Sequence, residues 1–550
     1  MTYKKIYKSV VLVFALGLMT TAMLFMGSCN DFLAERPTSN LINGHQYDGP
    51  DDMDALKNGP YRDIQLWDAG AGTFNYLPLQ FEYFTGEAVC EDAHISFNDW
   101  KNDRVTGGLL DNFNTQWQDW FQGVRDANFS INTIRAMTGI SDDQRSEALG
   151  EVRTIRAYFY FNLVRYFGDV PMFTKNPDNP SPAATQLPRT SLKTIYDKII
   201  IPDLEYAVDS SALLDAASTD GRVTKYVSRA LLADVYLTCA GYPYQEVATD
   251  TSKDWCEKGL WSMTQYPVPS QSAKTFLQNA QKQLNVLYNA YSLGQYSDLR
   301  MPSRNNKGGL IWEVQYKSGV DNNDLIRCMF PNASKMSQYG SPTGSFVPSM
   351  PYYNSFATND KRRDAFFYDQ DTYAQQYDPT ESTIIHFARP YLYKYYDRDA
   401  IKGNGESGLN WPLYRYAGIC LMLTEVNWTL NQLGISVSAN DITKGINKVR
   451  ARAGLTAYSA SQVNLKTIMA ERAYELIFEN KMIWDQRRTR KCLIDGNHQF
   501  AGIGNFVGHK SPVYNFAFGV KNLLAPIPTI EITRNHKAQQ NFQYTPQQGG

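Results

Sequence analysis

The feature that most limits how this chain can fold is a repeated helix layout. From Gln144 onward, Val152, Ile155, Phe159, Leu163 and Tyr166 recur at helical spacing and stop at Gly168, a C-terminal cap with Pro171 just beyond. The segment Val223 to Gly241 repeats the pattern: Arg229-Ala230 precede Gly241 by the same twelve and eleven residues as Arg156-Ala157 precede Gly168. Partner helices are predicted from Phe113 to Met137 and from Leu192 to Val208. The resulting helix pairs have the size that stacks in tetratricopeptide-type solenoids, where each pair buries its apolar face against the next. Further helices are predicted at Met53 to Leu66, Leu413 to Leu430, Ile442 to Arg452 and Leu465 to Arg488. The expected fold class is therefore mainly α, a tetratricopeptide-like α-α superhelix.

Long irregular stretches, Gln65 to Asp111 and Gly294 to Gly408, interrupt the helical blocks, and loops of this length are usually functional. Strands are predicted at Leu310 to Lys317 and Tyr391 to Tyr395, a small β insert. With no low-complexity linker, 29–550 reads as a single unit. Its parts are 29–111 with the first helix and aromatic loop, 112–292 with the repeats, 293–410 with the insert, and 411–550 with the closing helices and tail.

The amino terminus reads as a signal peptide over residues 1–28. Lys4, Lys5 and Lys8 precede an apolar run from Val10 to Met19 and a shorter one to Met26. Thr20 and Thr21 interrupt a stretch already short of the ~20 apolar residues of a membrane-spanning helix. Met26-Gly27-Ser28-Cys29 then resembles a bacterial lipobox, with Met26 where leucine is usual. Cys29 is the expected lipidation site, and a diacylglyceryl group there would hold the chain stably at a membrane.

Charge and motifs exclude several chemistries. The formal net charge is −1 with lysine and arginine scattered, so no nucleic-acid partner is expected. The seven cysteines contain no CxxC spacing, and Cys239 and Cys420 sit inside apolar helical patterns, which suits buried thiols. The six histidines form no metal-ligand spacing, and neither a Walker loop nor a GxSxG elbow occurs, so no metal or cofactor is expected. Asp48, Asp51, Asp52 and Asp54 lack EF-hand spacing and favour the dipole of the helix they precede. Glu471, Glu475 and Glu479 fall at i, i+4, i+8 on one helix face. A glycosidase pair needs carboxylates ~5–9 Å apart, but Arg472, Arg487, Arg488 and Arg490 stand beside these. Ion pairing without catalysis is the expectation.

Aromatic residues make up 13% of the chain, with 36 tyrosines, although its mean hydropathy is polar. Composition leaves two uses open: packing between helices, and clefts that recognise ligands half apolar and half hydroxylated, carbohydrate above all. Two loop clusters suit the second use. One holds Trp67, Phe74 and Tyr76 with Asn98 and Trp100; the other holds Tyr296, Asp298, Arg300, Arg304 and Asn305. The ligand-binding candidates are Trp67, Phe74, Tyr76, Asn98, Trp100, Tyr296 and Arg300. Trp312 in a strand pattern and Trp411 at a helix start are expected to pack.

Six segments in order resemble the RagB/SusD family: Arg156 to Pro171, Arg222 to Leu237, Leu413 to Asn427, Ile446 to Leu455, Glu471 to Arg488, and the tail Leu523 to Tyr544. The tail's L-P-I-P…Q-N-P-G-Y pattern has Phe542-Gln543 in place of Pro-Gly. The resemblance covers essentially the whole mature chain. It implies a surface-exposed outer-membrane lipoprotein that captures glycan, does not cleave it, and lids a SusC-like TonB-dependent transporter. Ligand residues in that family are not bound to motifs, so none carries over by position. Two other readings stand beside it: a repeat scaffold that binds peptides or proteins, and a lipid-anchored glycoside hydrolase.

Overall fold

The computed structural model describes residues 47–64, 81–90, 100–105, 111–176, 186–249, 265–323, 346–371, 385–402 and 406–544. Cys29 and the leader lie outside them. The helices that carry the body are α1 (Pro50–Arg62), α2 (Asp111–Ala136), α3 (Asp142–Phe167), α4 (Lys225–Cys239), α5 (Gln271–Ala290), α6 (Tyr416–Gln432), α7 (Ala439–Ala453), α8 (Leu465–Leu476) and α9 (Met482–Thr489). Helix α2 packs on α3, α4 on α5, α5 on α6, and α6 on both α7 and α8, the neighbour-on-neighbour stacking expected of helical repeats. Among the described residues, no helix is long and apolar enough to cross a membrane.

The repeated sequence layout has a physical basis at both of its copies. Ser141 caps α3 by accepting from the Gln144 amide, and Gly168 ends it with φ 76°, a conformation that costs a Cβ-bearing residue. Arg156 is buried and clamps three elements: its Nε and Nη2 reach the Asp203 carboxylate at 2.7 and 2.8 Å, and its Nη1 reaches Asn128 Oδ1 of α2 at 2.8 Å. Arg229, its counterpart, donates to Gln283 of α5 at 2.6 Å. The adjoining Ala157 and Ala230 are fully buried, small enough to let neighbouring helices close in. The partner over 192–210 is helical as expected, with π-helical widening at Tyr196–Ile200 and Tyr206–Ser210. At the other end, Asp48 holds the start of α1 to the turn after α2, accepting from Thr138 N, Thr138 Oγ1 and Gly139 N at 2.7–2.8 Å. Asp52 caps α1 by accepting from the Asp48 amide at 3.0 Å.

Strands are short and pair two by two. β1 (Leu310–Val314), β2 (Phe367–Asp371), β3 (Ile385–Leu392), β4 (Trp411–Arg415), β5 (Lys491–Ile494) and β6 (Gly502–Asn505) form the antiparallel pairs β1–β4, β2–β3 and β5–β6. Two expectations need correction here. The stretch from Leu413 does not start a helix: Trp411 to Arg415 pairs with β1, and α6 begins at Tyr416. Nor is 465–488 one helix. It breaks after Leu476 because Lys394 Nζ takes the Glu475 and Ile477 carbonyls at 3.2 and 2.9 Å, and Arg415 Nη2 takes the Glu475 carbonyl at 2.7 Å. Those acceptors are withdrawn from any continuing helical ladder, and the chain turns through Phe478 (φ 58°) and Asn480 (φ 53°) before α9.

The larger of two hydrophobic clusters among the described residues runs through both the helical body and the insert, from Ile64 to Ile527; the smaller joins Met53, Leu56 and Ile131 to Val152 of α3, which is buried on nearly all sides from Ala148 onward. Cys239 and Cys420 are free thiols inside the larger cluster, and burial pushes Cys420 up to about 12. Helix α6 meets α7 closely at Gly445, where an added Cβ would stand 2.1 Å from the Cys420 carbonyl oxygen. Gly445→Ala must drive these helices apart, and the expected loss is about 1–3 kcal/mol, read as a lower urea midpoint with unchanged slope.

Candidate functional site

Of the second sequence cluster only Asp298 lines a surface groove, with Tyr296, Arg300, Arg304 and Asn305 beside it; most of the first lies outside the described residues, namely Trp67, Phe74, Tyr76 and Asn98. Trp100 is described and corrects the expectation: it is 0% exposed, packed against Phe84 at 4.4 Å and Phe81 at 5.3 Å between ring centroids. A ring enclosed in this way has no face for a sugar. Trp312 is likewise buried, edge-on to Tyr158 at 5.0 Å.

Between α5 and β1 the chain folds into two 3-10 turns, Tyr296–Arg300 and Pro302–Arg304. Asp298 organises them: one carboxylate oxygen accepts from the Gln295 amide at 3.0 Å and the other from Arg304 Nε at 3.0 Å. Asn305 fastens the far end, donating to the Gly408 carbonyl at 2.8 Å and accepting from the Asn410 amide at 3.2 Å. The result is a groove of about 300 Å³, part of it open to solvent, lined by Gly294, Gln295, Asp298, Gly309, Tyr416 and Arg452 among others.

Of the two sequence candidates here, neither presents a free ring or guanidinium. Arg452 lies over the Tyr296 ring at 4.3 Å, and Phe366 meets that ring edge-on at 5.1 Å. Arg300 covers Tyr393 at 4.1 Å and donates to the Ala365 carbonyl at 3.2 Å. The groove is therefore a mixed cleft, with Leu293, Leu299 and Leu310 in its wall and polar groups from Gln295, Asp298 and Arg452. Arg452 and Tyr416 were missed in the sequence because they arrive from α7 and α6, far along the chain.

Arg452 also ties this groove to a buried charge cluster. Its Nη1 donates to the Gly294 carbonyl at 2.9 Å, while its Nη2 pairs with Glu475 Oε1 at 2.5 Å. Glu475 further pairs with Arg415 at 2.9 Å; Glu479 pairs with Arg415 at 2.7 Å and with Lys394; Glu471 pairs with Arg362 at 2.9 Å and Arg450 at 2.5 Å. Burial pushes the Glu475 carboxyl up, yet Arg452, Arg415 and Arg362 outweigh that and hold it at about 2. A group so held cannot deliver a proton near neutral pH, and a general acid needs the opposite shift. Among the described residues no group of three or more histidine, cysteine or acidic side chains is placed to hold a metal.

Comparison with known proteins agrees with this architecture. Residues 368–544 match the model of the SusD family, and residues 70–237 match one described as "Starch-binding associating with outer membrane". A SusD-like protein of Bacteroides ovatus is 29% identical over 282 residues, 47% of this chain and 46% of that protein, about half its length. SusD-like protein P2 of Formosa agariphila is 25% identical over 452 residues, 77% of this chain and 79% of that one. A SusD superfamily structure from Parabacteroides distasonis superposes with a TM-score of 0.77 at 29% identity, covering 90% of this chain and 99% of its own. Surface glycan-binding protein A from Bacteroides thetaiotaomicron, solved with laminarihexaose, shares the fold with a TM-score of 0.68 at 18% identity, covering 90% and 99%.

Replacing Glu475 by glutamine would leave Arg415 and Arg452 buried and underpaired, at a cost of about 3–5 kcal/mol in chemical unfolding. A carboxyl lowered on folding contributes stability above its unfolded value of about 4.3 and loses it as pH falls through about 2. Stability of Glu475→Gln should therefore fall less steeply than wild type across that window.

The two family matches on successive parts of the chain, and the superposition along nearly its whole described length, show that this chain belongs to the SusD/RagB family.

Proposed function

We propose that this protein captures glycan at the cell surface, without cleaving it, and delivers it to a SusC-like TonB-dependent transporter while a lipid on Cys29 holds it at the outer membrane. The observation that carries the non-catalytic part is the fate of the three carboxylates predicted to share a helix face. Glu471, Glu475 and Glu479 are buried and committed to arginine and lysine, so the acid and base pair a glycosidase would need is tied up in structure. Supporting the ligand class are the description of the matched amino-terminal model and the laminarihexaose held by a protein of the same fold. The groove beside Asp298 supplies amide, carboxylate and guanidinium groups of the kind that bind sugar hydroxyls. Trp67, Phe74 and Tyr76, outside the described residues, are proposed as aromatic contacts for the glycan on sequence grounds alone.

Isothermal titration with laminarihexaose and maltohexaose is expected to give saturable binding to at least one, with no reducing sugar released. Replacing Gln295, whose side chain lies in the groove lining, by alanine should weaken that binding about tenfold, ~1.4 kcal/mol, with thermal stability retained. A folded protein that bound neither sugar and instead retained soluble proteins in pull-down would favour the scaffold reading. Steady release of reducing sugar would restore the hydrolase.

A further inference from the structure

A second recess lies between α3, β4 and the bend at 477–481. Trp120, Tyr158, Asn162, Arg165, Tyr414 and Lys481 are among the residues around its space of about 430 Å³, part of it open to solvent, and none of its lining residues belongs to the groove beside Asp298.

Its charges do not balance. Glu479 lies in the wall but is neutralised by Arg415 and Lys394. Asp234 accepts from the Tyr414 hydroxyl at 2.7 Å and lies 3.7 Å from Arg165 Nη1. Against that one carboxylate, already shared by the Tyr414 hydroxyl and Arg165, stand two cations; Glu82, which accepts from the Asn480 amide at 2.6 Å, is pushed up to about 8 by burial and adds no full charge below that pH. Arg165 is fixed by stacking on Phe161 at 4.0 Å and Trp484 at 4.8 Å, and it donates from Nη2 to Asn162 Oδ1 at 2.6 Å. Lys481 lies over the Tyr414 ring at 4.2 Å and has no ion pair or hydrogen bond among the described residues. Four wall residues also carry a buried polar atom with no hydrogen-bond partner among the described residues: the donors Trp120 Nε1, Asn162 Nδ2 and Arg165 Nε, and the acceptor Asn480 Oδ1. Trp120 is 1% exposed, so its indole N–H is shielded from bulk solvent and faces only the recess. Burying unpaired donors and a surplus cation costs free energy, which a ligand oxygen with negative charge would offset. The buried rings of Tyr158, Trp411 and Tyr414 wall those donors in with low-dielectric surface, which strengthens their attraction for an anion.

We propose that this recess binds the monoanionic substituent of a carbohydrate, a carboxylate or a sulfate ester, with Lys481 and Arg165 as its cationic partners and Trp120 Nε1 as a neutral donor. The carbohydrate body rests on the glycan-capture reading; the anion site does not. One surplus positive charge matches one negative charge, and the enclosed part of the recess has room for the anionic group alone, which leaves the sugar body at its open side.

Protonation gives a check that does not depend on a variant folding. Burial draws the Lys481 ammonium down to about 8, with Arg165 and Arg472 pushing the same way and Asp234 and Glu479 opposing. Anion binding should therefore be full at pH 6.5 and fade as pH rises past about 8.

The test is isothermal titration of the full mature chain with glucuronate, glucose 6-sulfate and glucose. Either or both anionic sugars should bind at least tenfold tighter than glucose; glucuronate alone marks the carboxylate as the ligand, glucose 6-sulfate alone the sulfate ester. Lys481→Gln should remove that preference, and Lys481→Arg should keep it. Equal affinity for all three sugars would overturn the proposal, as would a preference that survives Lys481→Gln or stays constant from pH 6.5 to 9.5. Laminarihexaose and maltohexaose, run beside them, separate the two readings. If an oligosaccharide binds and no anion is preferred, this recess fails alone; if neither oligosaccharide binds while glucuronate does, glycan capture fails and the anion site stands.

Discussion

The buried charge cluster around α8 is the interaction on which the rest of the structure depends. Its carboxylates, Glu471, Glu475 and Glu479, gather Arg362, Lys394, Arg415, Arg450 and Arg452 from four other parts of the chain. A second chain of pairs continues from it, Arg472 to Asp485 at 2.5 Å and Arg488 to Asp485 and Glu425 at 2.7 and 2.6 Å, reaching α6. Such a cluster is weak evidence for net stability, because desolvating each charge offsets much of the Coulomb gain. What it does enforce is position: a guanidinium that must meet two carboxylates has few places to go.

Both recesses inherit their geometry from that cluster. Arg452 spans from Glu475 to the Gly294 carbonyl and so fixes the rim of the groove from beneath. Lys394 and Arg415 take the carbonyls that would have continued α8, and the bend they cause carries Asn480 and Lys481 to the second recess. A change in the charge cluster is thus expected to reach either surface without touching a ligand.

The aromatic residues show how composition can point two ways. Trp100, Phe81, Tyr166 and Trp484 pack as one interior group, with Phe81 to Tyr166 and Tyr166 to Trp484 each 4.5 Å between centroids. Many of the tyrosine hydroxyls serve as internal connectors, as Tyr266 does to Glu425 at 2.7 Å and Tyr416 to the Tyr288 carbonyl at 2.8 Å. An aromatic ring with a polar tip suits helix packing in a polar chain as well as it suits sugar binding.

The sequence by itself determined the helical body. The spacing of Val152 to Tyr166, the cap at Gly168 and the repeated Arg-Ala pair are local signals, set by the period of the helix and its termini. It also determined that Glu471 and Glu475 share a face beside arginines, since i, i+4 neighbours need no tertiary information; Glu479, read there as a third member of that face, lies past the break after Leu476. Tertiary structure decided which arginines pair with them, because Arg362 and Arg415 lie far from α8 in sequence. It decided that Trp411 to Arg415 is a strand, since a β partner at Leu310 to Val314 is invisible to local propensity. It decided that 465–488 bends, where side chains from elsewhere claim its carbonyls, and it placed Trp100 inside. Both recesses belong to that second class: each is assembled from segments remote in sequence, so no spacing within the chain could have announced them.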